Sequence, residues 1–234
     1  MKSLATFILL STALILSAFG EHIKGNGKVE ERKQNLDHFS SIDLSGMFEV
    51  GLIEGDEKIE VVIDENLHEH INIAVKNDEL IIGTRDKYFD AEQVLLHIYY
   101  RAINEIDVLG AVSLNIENQL QTDHFSLDVS GSCQGNLNVA VEDLEIEISD
   151  GGERTLSGEA HHLNIDVYRA LEIKALDLKV QEADLQIPGA GEIELSIENR
   201  LNVEVTRAGE VRYSGDPTIS KSVTGAGEIT QIKI

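Results

Sequence analysis

From residue 105 onward, apolar and polar positions alternate in short runs: Leu144-Glu-Ile146-Glu-Ile148, Leu163-Asn-Ile165-Asp-Val167, Leu195-Ser-Ile197 and Leu201-Asn-Val203-Glu-Val205. A period of two predicts strands with one face in a core and the other in water. The runs recur. Val108, Val129, Ile148, Val167, Ile187, Val205 and Val223 follow one another at intervals of 21, 19, 19, 20, 18 and 18 residues. A repeat of about twenty residues with one β unit per copy predicts a solenoid, in which a coil buries its apolar edge only against the coils above and below.

After each marker comes a small or turn-prone segment, such as Ser130-Gly131-Ser132, Ser149-Asp150-Gly151-Gly152 and Pro188-Gly189-Ala190. The copy Tyr168-Arg169-Ala170 has no glycine. Gly131, Gly151, Gly189, Gly191, Gly209, Gly225 and Gly227 are therefore the expected corners, because glycine reaches positive φ and lets backbones stack at the ~4.8 Å strand spacing. The last three copies, Gly189-Ala-Gly191-Glu-Ile193, Arg207-Ala-Gly209-Glu-Val211 and Gly225-Ala-Gly227-Glu-Ile229, are spaced by 18 residues. That spacing places Ala190, Ala208 and Ala226 in one column. The regular repeats run over residues 105–234, and residues 21–104 read as an irregular N-terminal β-region continuous with them. Only Asp64–His70 offers a short helical stretch.

Residues 1–20 differ in kind: Lys2 precedes an apolar run from Leu4 to Leu16, and Ala18-Phe19-Gly20 carries small residues where a signal peptidase reads. A secretory signal is expected there. The run is shorter than the roughly twenty residues of a spanning helix, and no later segment is apolar enough for one. The sole cysteine, Cys133, lies deep in the repeats, so neither a lipid anchor nor an internal disulfide is expected. Cys133 reads as a small residue tolerated at a turn.

With a formal net charge of −23, the chain repels phosphate backbones and anionic lipid. This excludes nucleic acid as a partner and disfavours polyanionic glycans. The charge also opposes edge-to-edge association of an all-β protein. Aromatic residues make up 5% with no Trp, so a stacking platform is poorly provided. Tyr99-Tyr100, with Tyr88 and Phe89, is the one aromatic-rich area.

Outside the repeats, Gly25-Asn-Gly-Lys-Val29, Phe39-Ser-Ser-Ile42, Gly46-Met-Phe-Glu-Val50, Asp64-Glu-Asn-Leu67, Leu80-Ile-Ile-Gly83 and Tyr213-Ser-Gly-Asp-Pro217 follow in order. In this order the chain resembles the head GIN domain family of auto-transporter adhesins, a domain of exported bacterial proteins, most of them from Bacteroidetes. The resemblance runs from about Gly25 to Ile234. It implies an all-β fold, a right-handed single-stranded β-helix similar in architecture to pectin lyases, with an adhesive role and no family-wide catalytic residues. The family's Ser-Gly-Ser-Gly corners survive here only as Ser130-Gly131-Ser132, with Ala replacing Ser in later copies.

Glu192, Glu210 and Glu228 occupy equivalent positions and should form a ladder of like charges about one strand spacing apart. Weak Ca²⁺ binding along it competes with a plain solvated row near Lys or Arg, since no Ca²⁺ loop motif supplies the six to eight oxygens. His68-Glu-His70 and His161-His162 are the histidine clusters, and neither has the spacing of a zinc motif. In a strand, His68 and His70 would share a face. Asp166 with Arg169, and Asp150 with Arg154, are nominal acid–base pairs, but carboxylates on a solvated face form such pairs everywhere. No catalytic residue and no cofactor is assigned. The reading is an exported, non-enzymatic binding or adhesion protein, periplasmic or at the cell surface, with a protein or glycan partner. A glycan-active enzyme and a self-associating, homo-oligomeric envelope module are the alternatives.

Overall fold

The computed structural model describes residues 23–84, 89–91, 93–149 and 151–233. The expected secretory signal therefore lies outside the described residues. The chain is a β-solenoid of about 7 turns. Its long strands, Ser132–Ile148, Gly152–Val167, Leu171–Ile187 and Glu192–Val205, each make most of one coil and pair in parallel with the next.

The register is the one the repeat demands. Val108 stands beside Val129, Val129 beside Ile148, Ile148 beside Val167, Ile187 beside Val205 and Val205 beside Val223. A second inward column of Ile106, Leu127, Ile146, Ile165, Leu185 and Val203 runs parallel to it. Both columns are buried along their length until the last coil, where Val223 is 40% exposed and Lys221 takes the inward place after Val203. A charge in that place blunts the open end against pairing with another sheet edge.

Hydrogen bonding passes through the corners as well as the strands. Ala190 N–H donates to Arg169 O, Thr206 N–H to Ile187 O, Glu210 N–H to Gly191 O, Ala226 N–H to Arg207 O and Glu228 N–H to Gly209 O. Close approach, more than left-handed φ, is what the corners require. A Cβ on Gly131 would lie 2.1 Å from Gly110 O. Of the seven expected corner glycines only Gly225 has positive φ, +122°, and its Cβ would also meet Arg207 O at 2.4 Å.

The stack starts earlier than the repeat suggests. Ser41–Glu54 is parallel to Glu105–Ile116 over twelve pairs, with Leu44 beside Val108 and Gly46 beside Gly110. Leu44 therefore belongs to the marker column although 64 residues separate it in sequence from Val108. The intervening chain adds antiparallel pairings, Lys58–Asp64 with Val29–Asn35 and with Leu95–Tyr100, and an Ile71–Lys76 hairpin with Glu79–Thr84, while Glu79–Thr84 and Leu95–Tyr100 also lie parallel to Ser41–Glu54. Asn77 and Asp78, at φ 53° and 62°, make the tight turn whose twist suits a hairpin. The short helical stretch is a 3₁₀ helix over Glu65–His70, so His68 and His70 do not share a strand face. His68 instead bonds through Nε2 to Glu30 O.

Cys133 is not a turn residue. It points into the core beside Val112, 1% exposed. Near it Arg154 is fully buried, and neither Nε nor the two terminal nitrogens finds a hydrogen-bond partner. Burial pushes the Cys133 thiol up and the Arg154 guanidinium down, and each partly offsets the other. A buried, unsatisfied guanidinium costs more than an apolar side chain of similar volume. Replacing Arg154 by Met should therefore raise stability by about 1–4 kcal/mol in urea unfolding. A lower stability would mean that Arg154 holds an internal partner.

Candidate functional site

In-register stacking turns every outward position into a row of side chains, and two such rows are lined mainly by carboxylates. The first runs through Glu153, Glu172, Glu192, Glu210 and Glu228. Its repulsion is offset by cations in the neighbouring row of Lys174, Glu194 and Arg212. Lys174 bridges Glu153 and Glu172, and Arg212 bridges Glu194 at 2.7 Å and Glu210 at 3.3 Å. The expected ladder Glu192–Glu210–Glu228 is thus a contiguous column with an arginine against its middle member.

The second row is Asp43, Asp107, Asp128, Glu147 and Asp166, followed by Gln186 and Glu204. It lies on the leg of the coil that ends at the marker residues. Asp107, Asp128, Glu147 and Asp166 form no ion pair with any described Lys, Arg or His. Asp107 is half-buried. Burial, then the carboxylates of Glu105, Asp128, Asp43 and Glu79, push its pKa up to about 6. Asp166 is raised for the same reasons, by burial and by Glu145. Tyr168, exposed at the corner, is raised by Glu147 and Asp166. Sequence analysis weighed Asp166 only against Arg169 and missed the row. The signal was present in the alternation itself, because the residue before each of the first four markers, Asp107, Asp128, Glu147 and Asp166, is acidic.

At a second corner the period of two breaks, and adjacent residues both face outward: Glu142-Asp143, His161-His162 and Gln181-Glu182, each pair lying between buried apolar residues. Register aligns His124, Asp143, His162, Glu182 and Arg200 in one column. Arg200 clamps Glu182 and Asp184, donating from Nε to Glu182 at 3.0 Å and from both terminal nitrogens to Asp184 at 3.2 and 3.0 Å. Nδ1–H of His161 donates to Glu142 at 2.7 Å, which raises the imidazole pKa. The His161 and His162 rings lie 4.4 Å apart.

Other expected sites disperse. Tyr100 is buried, and Lys58 covers one face of Tyr99, with its Nζ 3.9 Å from the ring centroid. Tyr88 and the side chain of Phe89 lie outside the described residues. Asp150 does too, while Arg154 points into the core and away from any groove. No helix among the described residues is long and apolar enough to cross a membrane.

A stack of in-register coils with long polar rows defines the class of parallel β-solenoids. The family described as putative auto-transporter adhesin, head GIN domain, matches residues 38–217, and the chain belongs to that family. Its fold is similar to crystal structures of a putative adhesin from Bacteroides fragilis, at 22% identity and a TM-score of 0.82, covering 90% of this chain and 100% of that one. Putative adhesins from Parabacteroides distasonis and Parabacteroides merdae follow. They have TM-scores of 0.75 and 0.72 at 22% and 23% identity, and cover 91% and 92% of this chain and 100% of theirs. No curated protein matches the chain.

The raised pKa of Asp107 sets a pH dependence. A carboxyl whose folded pKa lies above its unfolded value opposes folding when ionised in both states, above about pH 6. The penalty disappears as pH falls through about 6 towards 3.8. Asp107→Asn should therefore stabilise the protein by about 1 kcal/mol at pH 7 and by little at pH 4, in paired thermal or urea melts. An equal effect at both pH values would remove the repulsion account.

Proposed function

We propose that the chain is an exported, adhesion-type binding protein that presents a rigid sheet face to a protein or glycan partner and performs no catalysis. The observation that carries this reading is the contrast between the two acidic rows. One is interleaved with Lys174 and Arg212, as a merely solvating surface would be. In the other, Asp107, Asp128, Glu147 and Asp166 form no ion pair with a described Lys, Arg or His along a preformed sheet face. Stacked like charges cost roughly 0.2–1 kcal/mol per pair, and a cationic partner recovers that cost on docking. Many weak contacts along one row then act together. The preferred partner is thus a basic protein surface or an amine-bearing glycan at the cell envelope. Membership of an auto-transporter adhesin family supports an exported or surface location.

The test is an affinity measurement on the chain and on its Asp107→Asn, Asp128→Asn, Glu147→Gln, Asp166→Asn variant, against native envelope fractions and a glycan array. Binding by the native chain that weakens with salt and falls at least about tenfold in the variant supports the reading. Binding that the variant retains would move the site to another face. Turnover on the glycans would make the chain an enzyme.

The compensated ladder carries a subsidiary proposal, weak Ca²⁺ binding at Glu192, Glu210 and Glu228. It predicts heat on titration with millimolar Ca²⁺, lost when Glu210 becomes Gln. Absence of heat in the native chain removes it.

A further inference from the structure

We propose that Glu142, His161 and His162 form a site for a single divalent transition-metal ion, with Zn²⁺ as the ion best suited to it. Nothing in the spacing of His161-His162 announces such a site, because the third ligand comes from the preceding coil. One nitrogen from each imidazole and one carboxylate oxygen of Glu142 lie within 4.8 Å of one another. Ligands at the ~2.0–2.2 Å reach of zinc stand about 3.4 Å apart around a tetrahedral ion. Small rotamer changes of these part-exposed side chains close the difference.

Two features of the fold favour the site. The corner lets consecutive histidines face outward together, between buried Ala160 and Leu163, where an unbroken strand would send them to opposite faces. The site also borders a trough lined by Asp123, Glu142, Glu159, His161, Lys179 and Glu198, in which acid outweighs the one lysine. The neighbouring Arg200 does not add a free positive charge, because Glu182 and Asp184 already hold it.

Two imidazoles and one carboxylate match the preference of zinc for nitrogen and oxygen donors, with a fourth position left outward. Glu182, 3.7 Å from Nδ1 of His162, stands next to that position but is held by Arg200. Water, or a donor from a partner, completes the shell. An ion here clips two successive coils together at the edge of the uncompensated acidic face.

The test is isothermal titration of the full chain, free of any affinity tag, with Zn²⁺, and absorption spectroscopy with Co²⁺ as the probe. The expected result is one ion per chain and Co²⁺ d–d bands of a low-coordinate nitrogen and oxygen site. Affinity should fall at least about tenfold in each of His161→Gln, His162→Gln and Glu142→Gln, a loss that even outer-shell partners can cause. His68→Gln should leave it unchanged. Melting curves of the metal-free variants matching the native chain would show that the loss is local. Absence of stoichiometric binding, or binding retained in the His161→Gln, His162→Gln double variant, overturns the proposal.

Discussion

Parallel main-chain pairing that continues through the corners is the constraint from which everything else in this molecule follows. Bonds such as Thr224 N–H to Val205 O and Glu228 N–H to Gly209 O leave no slack between coils, so a residue is held directly above its counterpart one turn away. The corners meet that demand with residues that lack bulk. At Gly131 a single added carbon would collide with the carbonyl of Gly110. Once register is fixed there, like stacks on like, and the marker column from Leu44 to Val205 becomes a continuous buried seam.

The same constraint forces like charges together. A globular protein can scatter its carboxylates, whereas a solenoid with an acidic residue before five of its seven apolar markers must pile them up. On one face Lys174 and Arg212 answer the charge, and on the other burial, then the neighbouring carboxylates, push the Asp107 pKa up to about 6. The histidine corner is a third product of stacking. It brings Glu142 against His161 from 19 residues away, a distance in sequence equal to one coil.

The repeat and the marker column were legible because each coil faces the same physical problem and solves it with similar residues. Legibility failed where the chain departs from one coil per twenty residues. Leu44 joins the column across an antiparallel insertion, which no periodicity search spans. It failed again where function-relevant neighbours are not sequence neighbours. The partners of His161 and Asp107 are set by register, and Arg154 reads as a surface basic residue until the core closes around it. The break in alternation at Glu142-Asp143, His161-His162 and Gln181-Glu182 was visible throughout, as doubled polar residues between apolar ones, and it marked the second corner.

A distance along the uncompensated row tests this account most directly. Nitroxide labels at Asp107→Cys and Glu204→Cys occupy one column five strand spacings apart, so pulsed electron paramagnetic resonance should give a narrow distribution near 24 Å, five times the ~4.8 Å rise between strands. A broad distribution, or one centred well beyond 30 Å after allowing roughly for the label arms, would contradict in-register stacking, and both acidic faces and the histidine corner would lose their basis.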